Sequence, residues 1–155
     1  MKKMGKLSDY LSSLYQIGEA VSVTDNQGIP VECDNAIDQT IKLMHSVRDA
    51  SKKIMFIGNG GSAAIASHMA IDYSKNGRLP AIAFNDGPAL TCLGNDLGFE
   101  NVFAEQIKLH GQKGDLLIAI SSSGQSSNIL KAVSQAHRSE CHVVTMSGFS
   151  SDNPL

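Results

Sequence analysis

One histidine and one aspartate in this chain are spaced for joint chemistry on a single helix face. His68 and Asp72 lie four residues apart in the Ala-rich stretch 62–74, which predicts a helix. Residues at this spacing are neighbours on a helix surface, and a histidine paired with a carboxylate can hold a metal ion. A simple hydrogen bond along the helix face is the other interpretation of the pair.

A glycine-rich turn precedes that helix. The segment Gly58-Asn59-Gly60-Gly61-Ser62 follows a short apolar run over residues 53–58. Glycine lets a backbone approach a ligand closely, and the N-terminus of a helix offers free N–H groups to an anion. Ser62 can cap the helix or give its hydroxyl to that anion. The turn indicates a phosphate site, although a tight turn that binds nothing has the same pattern.

A second turn is rich in serine. Ser121-Ser122-Ser123-Gly124-Gln125-Ser126 follows the clearest apolar run of the chain, over residues 115–120. Capping a helix requires one hydroxyl, so four serines around one glycine exceed that need. Neutral hydroxyls and backbone N–H groups suit a phosphoryl group that no cation neutralises. A solvated serine-rich loop is the alternative interpretation.

Other phosphate-binding patterns fit less well. The chain has no G-x-x-x-x-G-K-[ST] segment, which argues against a nucleoside-triphosphate loop. Gly58, Gly60 and Ala63 match a loose G-x-G-x-x-A pattern, and Asp86 follows the second apolar strand, so a dinucleotide site is a rival. Such a site does not require a serine loop, and we therefore expect no nucleotide cofactor.

The elements that must position these residues alternate along the chain. Helices are predicted over residues 6–18, 30–51, 62–74, 88–97, 102–109 and 126–138, and strands over 53–58, 80–84, 115–120 and 141–146. This alternation predicts an α/β fold in which helices sandwich a doubly wound parallel sheet of flavodoxin-like order. In that order the first and third strands are neighbours, so the two turns would face one pocket.

We expect two parts in the chain. Residues 1–52 form an N-terminal helical segment, which packs on the domain or in an oligomer interface, and residues 53–155 form the sheet domain. The chain stops soon after the fourth strand, so we expect a C-terminal strand and helix to be missing.

Composition excludes several partner classes. The formal net charge is −2, and the basic residues are scattered, which argues against nucleic acid and anionic membrane as partners. No apolar run reaches the ~18 residues of a membrane span, and the N-terminus has no signal-peptide core. Three separated cysteines fit reduced thiols in the core. We therefore expect a cytoplasmic protein.

Three motifs together resemble the SIS (sugar isomerase) family, and within it the sedoheptulose 7-phosphate, or phosphoheptose, isomerases. They are Gly58 to Ala64, Gly94-Asn95-Asp96, and Ser121 to Ser126. The resemblance implies a phosphorylated seven-carbon sugar as ligand and a homotetramer. It also implies a site lined by Asn59, Gly60, Gly61, Asn95, Asp96, Ser121, Ser122, Ser123 and Ser126, to which the analysis of the glycine turn adds Ser62.

The resemblance also gives His68 and Asp72 roles. In these isomerases the first position is a zinc-ligand histidine, and the second is a glutamate that also acts as the base. Asp72 is one methylene shorter, so its carboxylate would have to shift by roughly 1.5 Å. The family's remaining ligands and its acid/base histidine lie on the final helix, and no histidine of this chain matches that position.

Two functions therefore remain open at this stage. The first is an aldose–ketose isomerase that acts on sedoheptulose 7-phosphate for surface polysaccharide (lipopolysaccharide) synthesis, with zinc as its metal. The alternative is a non-catalytic SIS module that senses a phosphosugar or binds a partner protein.

Overall fold

The computed structural model describes residues 6–155, in two compact units that meet in sequence at Lys42 and Leu43. The first five residues of the predicted segment 1–52 lie outside the described residues. The predicted division between residues 52 and 53 stays a prediction. In the described part of the chain, no helix is both long and apolar enough to cross a membrane.

A short hairpin in the first unit replaces part of a predicted helix. Strands β1 (Val23–Thr24) and β2 (Pro30–Val31) pair in antiparallel fashion. Asp25 Oδ1 accepts N–H bonds from Gln27 at 2.8 Å and from Ile29 at 2.9 Å, and these bonds close the turn. Pro30 therefore lies in a strand, and its prediction as a helix start was wrong.

Two helices flank this hairpin, α1 (Leu7–Glu19) and α2 (Cys33–Asp49). Just before α2, the Glu32 carboxylate accepts N–H bonds from Asp34 at 3.1 Å and from Asn35 at 2.9 Å. These bonds to the charged form lower the pKa of Glu32. They also explain why the helix begins at Cys33, because they satisfy the first N–H groups that the helix itself leaves unpaired.

Helix α1 has no buried residue, although it carries many apolar side chains. Its exposed large apolar residues are Leu7, Tyr10, Leu11, Leu14, Tyr15 and Ile17. The predicted apolar spacing is therefore present, and it lies on an open surface in this chain.

The second unit is a parallel sheet of four strands in the order β4-β3-β5-β6. The strands are β3 (Ile54–Gly58), β4 (Ala81–Ala83), β5 (Leu116–Ser121) and β6 (His142–Ser147). Four helices connect them, with a short 3-10 turn at Phe99–Asn101: α3 (Gly61–Lys75), α4 (Gly87–Leu97), α5 (Val102–His110) and α6 (Ser127–Arg138). If these four strands are numbered along the chain, their order across the sheet is 2-1-3-4, so the first and third strands are neighbours. This order confirms the predicted α/β class and sheet order.

The central strands β3 and β5 are buried on both faces, whereas the edge strands β4 and β6 are partly exposed. Alternate residues of β3 pack in two different cores. Met55 and Ile57 pack with Phe103 of α5 and Ile129 of α6. Ile54 and Phe56 pack on the opposite face with the cluster that contains Met44, Val47, Ala66 and Ala70. Side chains alternate across a strand, so an uninterrupted apolar run is what a strand covered on both faces requires.

The three cysteines are free and differ in exposure. Cys141 is buried, Cys33 is intermediate and Cys92 is exposed, so the expectation of core thiols was wrong for Cys92. Burial raises the pKa of the Cys141 thiol, and the nearby Asp115 carboxylate adds to that effect.

Alkylation should therefore be fastest at Cys92 and slowest at Cys141, because the thiolate is the reactive form. Timed labelling of the native protein with iodoacetamide, read by peptide mass spectrometry, gives the order. Unfolded protein in urea, where all three thiols are open, is the control. Labelling of Cys141 as fast as Cys92 in the native protein would contradict this.

Candidate functional site

The glycine turn and the serine turn leave the sheet side by side. Strands β3 and β5 are hydrogen-bonded neighbours, with Gly58 in register with Ile120. Asn59 follows β3 directly, and Ser122 follows β5 directly. The switch-point edge of a doubly wound sheet is where such folds bind ligands, and both turns lie at that edge.

The glycine turn presents open backbone to its surroundings. Gly60 has a φ of +54°, and an added Cβ at Gly60 or at Gly61 would meet nothing within 4 Å. No side chain caps α3, whose N-cap residue is Gly60. The first N–H groups of a helix have no partner within that helix, so a ligand that carries negative charge can use them.

Gly58 sets how closely β3 and α3 approach. A Cβ at this position would lie 2.7 Å from the backbone carbonyl carbon of Ser62. A backbone atom in the first turn of a helix cannot yield as a flexible side-chain end can. The strand can therefore reach this helix only with glycine at its last position.

Gly58→Ala should lower the free energy of unfolding by about 1–3 kcal/mol, because overpacking forces backbone shifts. Urea unfolding measures the change. Gly61→Ala is the matched control, since its added methyl group meets open space and should leave stability nearly unchanged. Equal stabilities for the two variants would contradict this account.

The serine turn places two hydroxyls together. Ser121 is buried, and its Oγ lies 3.3 Å from the Oγ of Ser126. Ser126 is the N-cap residue of α6, yet its hydroxyl does not cap the helix. The Ser123 hydroxyl accepts the N–H of Gln125 at 3.2 Å. Two of the four serines thus pair with each other, and the start of α6 keeps N–H groups available to an anion.

A reciprocal pair of amides joins the two turns. Asn59 Nδ2 donates to Asn128 Oδ1 at 2.9 Å, and Asn128 Nδ2 donates to Asn59 Oδ1 at 2.8 Å. Asn128 lies in the first turn of α6 and is 2% exposed. The sequence reasoning missed Asn128, although a polar residue beside the apolar positions of an amphipathic helix start was a usable signal.

The side chains of His68 and Asp72 lie beside each other along α3. Their Nε2 and Oδ2 atoms are 3.2 Å apart. Asn76 Nδ2 lies 3.3 Å from the second carboxylate oxygen of Asp72. The spacing therefore brings the two side chains together as an i,i+4 pair, and the same two side chains could also serve as two metal donors.

The described residues do not bring together a complete metal site. Across residues 6–155, no group of three or more His, Cys, Asp and Glu side chains is placed to hold a metal ion. Zinc sites take three or four protein ligands, and His68 with Asp72 supplies two. The described residues therefore do not fit a zinc site by themselves.

Asn95 and Asp96 lie in the last turn of α4, and both are exposed. Their side-chain bonds are local: Asn95 Nδ2 donates to Asp96 Oδ1 at 2.8 Å, and Cys92 Sγ lies 3.6 Å from Asp96 Oδ2. No side-chain hydrogen bond in the described part of the chain ties either residue to the two turns. Their assignment to the site stays a prediction.

Asp86 is the N-cap residue of α4, where its Oδ1 accepts the N–H of Ala89 at 2.9 Å. A capping role accounts for the acidic residue that the dinucleotide interpretation needed. The serine turn beside the glycine turn is therefore the feature that distinguishes this site from a dinucleotide site.

The model of the SIS domain matches residues 22–148 of the chain. The chain belongs to the SIS domain family. The match covers the hairpin, all four strands of the parallel sheet and both turns.

Several known proteins are similar to this chain over more than half of its length. A phosphoheptose isomerase from a Nitratiruptor species is 50% identical over 103 residues, which are 63% of this chain and 55% of that protein. One from Rhodospirillum rubrum is 37% identical over 123 residues, which are 76% of this chain and 65% of that protein. The matched part thus spans less than two thirds of either relative.

Two solved structures have the same fold as this chain. The phosphoheptose isomerase GmhA from Neisseria gonorrhoeae superposes with a TM-score of 0.78 at 34% identity, over 94% of this chain and 74% of that one. A phosphoheptose isomerase from Francisella tularensis gives a TM-score of 0.81 at 32% identity, over 100% of this chain and 79% of that one.

Proposed function

We propose that this SIS domain binds a phosphorylated sugar, with the phosphate at the two turns. The observation that carries the proposal is the amide pair between Asn59 and Asn128, which joins the starts of α3 and α6 beside the strand ends. Each helix start offers backbone N–H groups, and the serine turn adds hydroxyls. Two anion-binding elements held together are more specific for a phosphoryl group than either is alone.

The sugar we propose is sedoheptulose 7-phosphate, and the reaction is its isomerisation to the aldose heptose 7-phosphate for surface polysaccharide synthesis. Both relatives and both solved structures described above carry the name phosphoheptose isomerase. Those names favour the isomerase over the non-catalytic SIS module.

The distance along α3 suits a seven-carbon sugar phosphate. His68 lies seven residues after Gly61, the first residue of the helix, so it is about 10 Å along the axis at a rise of about 1.5 Å per residue. Eight bonds join the phosphorus to C1 of a linear heptose 7-phosphate. Three chain bonds span about 3.6 Å, which makes that sugar about 10 Å long. A phosphate at the helix start therefore brings C1 and C2 near His68, whose imidazole lies 3.2 Å from the carboxylate of Asp72.

Asp72 is the base in this proposal. Its carboxylate takes a proton from C1 of the ketose while the oxygen at C2 gains one, which gives the enediol; a proton delivered to C2 and loss of the hydroxyl proton at O1 then complete the aldose. His68 is within hydrogen-bond distance of Asp72 and holds the carboxylate in place. The carbonyl oxygen at C2 needs a proton or positive charge as the enediol forms, and we assign this donation to the imidazole of His68, which lies beside Asp72 on α3.

Zinc is proposed as a further partner of His68 and Asp72. These two side chains would supply two ligands, and the remainder would have to come from outside the set that the described residues bring together. No step above passes through the ion.

We also propose that the chain assembles as a homotetramer and acts in the cytoplasm. The exposed apolar side chains of α1 support self-association, because an open apolar helix face of this size gains free energy by burial. Sedimentation of the purified chain measures the assembly.

The test of function is incubation of the 155-residue chain with sedoheptulose 7-phosphate, with and without zinc, and detection of the aldose by ¹³C NMR. Appearance of heptose 7-phosphate supports the isomerase. Saturable binding without turnover would favour the phosphosugar sensor instead of the isomerase. Absence of both binding and turnover would overturn the proposal.

A further inference from the structure

We propose that Asn128 is a positioning residue, which fixes the separation of the two anion-binding turns through its bonds to Asn59. This inference rests on the proposed function for the identity of the ligand, and on the geometry for the link itself. Asn128 lies outside the set of residues that the sequence predicted for the site, and it need not touch the ligand to act.

The link is a closed pair of bonds between distant parts of the chain. Both amide groups use their oxygen and one N–H on each other, at 2.9 and 2.8 Å, across 69 residues of sequence. Asn128 is 2% exposed, so water does not reach its amide readily. Removal of the Asn59 side chain leaves the buried amide of Asn128 unsatisfied, which costs more than an exposed hydrogen bond contributes.

Each partner is built into the start of a helix. The carbonyl oxygen of Asn59 accepts the N–H of Ser62 at 3.0 Å, so a shift of Asn59 shifts the first turn of α3. Asn128 follows Ser126 by two residues in the first turn of α6. The amide pair therefore couples the two sets of free N–H groups directly, at the end of the sheet where β3 and β5 stop pairing.

This geometry changes the role of Asn59. Its side-chain oxygen and one of its amide protons are already engaged by Asn128. The turn therefore serves the phosphate through the backbone at Gly60 and Gly61, and the Asn59 side chain holds that backbone in position.

The first readout needs no ligand. We expect Asn128→Ala to accelerate hydrogen exchange of the backbone amides at residues 59–64 by about tenfold or more, because the glycine turn loses its tie to α6. Asn59→Ala should accelerate exchange at residues 122–128 in the same way. The two variants differ in burial of the altered residue, so Asn59→Ala serves if Asn128→Ala does not fold.

The second readout is affinity. We expect either single variant to raise the Kd for sedoheptulose 7-phosphate about 10- to 100-fold by calorimetry, since a displacement near 1 Å is costly in a site of this kind. The double variant should lose no more than the worse single variant, because the two residues act as one unit. Gln135→Ala is the matched control: it removes a half-buried amide from α6, two turns away, where it bonds to Ser139 at 3.2 Å.

The outcomes separate this inference from the proposed function. If the native chain binds no sugar phosphate but Asn128→Ala still accelerates exchange in residues 59–64, the link stands and the proposed function falls. Exchange in Asn128→Ala no faster than in Gln135→Ala would overturn the inference. So would additive losses of affinity in the double variant, or faster exchange with an unchanged Kd.

Discussion

Asp72→Asn is expected to reduce turnover of sedoheptulose 7-phosphate by at least about 100-fold, because a neutral amide cannot accept the C1 proton. The Kd for the sugar phosphate should change little, since the phosphate is held about three helical turns away at the start of α3. Steady-state kinetics and calorimetry on the same preparation separate these two quantities. A fall in kcat with a preserved Kd is the signature of a lost base.

Two further variants sharpen that result. Asp72→Glu restores the carboxylate length found in the isomerases that the sequence resembles, so activity should survive the change. Asp49→Asn is the matched control, because it neutralises an exposed carboxylate at the end of α2 whose partner is the adjacent Arg48. Full activity in Asp72→Asn would show that Asp72 is not the base. Equal losses of activity in Asp72→Asn and Asp49→Asn would mean that the loss of a negative charge, and not of the base, lowers turnover.

The two central strands of the sheet, β3 and β5, were predictable from sequence because each contains an uninterrupted apolar run. Residues 54–57 and 116–119 are fully buried on both faces, and only a covered parallel sheet needs such runs. The start of α2 was less predictable. Proline suits both the first turn of a helix and the edge of a strand, and the side-chain bonds of Asp25 and Glu32 decided between them.

The candidate site was predictable where backbone chemistry defines it. Glycines at Gly58 and Gly60 are required by a close approach and by a positive φ, and such needs leave a mark in the sequence. Asn128, the partner of Asn59, left almost no mark in the sequence, because a contact across 69 residues depends on strand order and register. Asn95 and Asp96 are exposed in α4, and among the described residues their side-chain hydrogen bonds are local, so their assignment to the site stays a prediction.

The serine motif illustrates the difference between composition and role. Ser121, Ser122, Ser123 and Ser126 look equivalent in the sequence. In the structure, Ser121 is buried against the hydroxyl of Ser126, Ser123 closes the local turn, and Ser122 is exposed. Sequence reasoning therefore identified the loop, and the fold assigned each hydroxyl its contacts.

Asp115→Ala is expected to produce the largest loss of stability, about 3 kcal/mol or more. Asp115 is fully buried at the start of β5, the end of the strand opposite the serine turn. Its carboxylate accepts bonds from the Lys53 backbone N–H at 3.0 Å, from Lys53 Nζ at 2.5 Å and from the Gln112 N–H at 2.8 Å. The substitution leaves two backbone donors and an ammonium group without their acceptor.

Urea unfolding of Asp115→Ala beside Lys113→Ala tests this argument. Lys113 and Glu140 form an ion pair of similar length, 2.6 Å, but both side chains are largely exposed, so water replaces the lost contact and the change should be far smaller. Because Asp115 lies at the far end of the strand, sugar-phosphate affinity in the folded fraction should stay unchanged. Similar losses for the two variants would mean that the carboxylate of Asp115 contributes no more than a surface charge. A large loss confined to Asp115→Ala would identify it as the group that holds the starts of β3 and β5 together, while the amide pair of Asn59 and Asn128 joins the elements that follow their other ends.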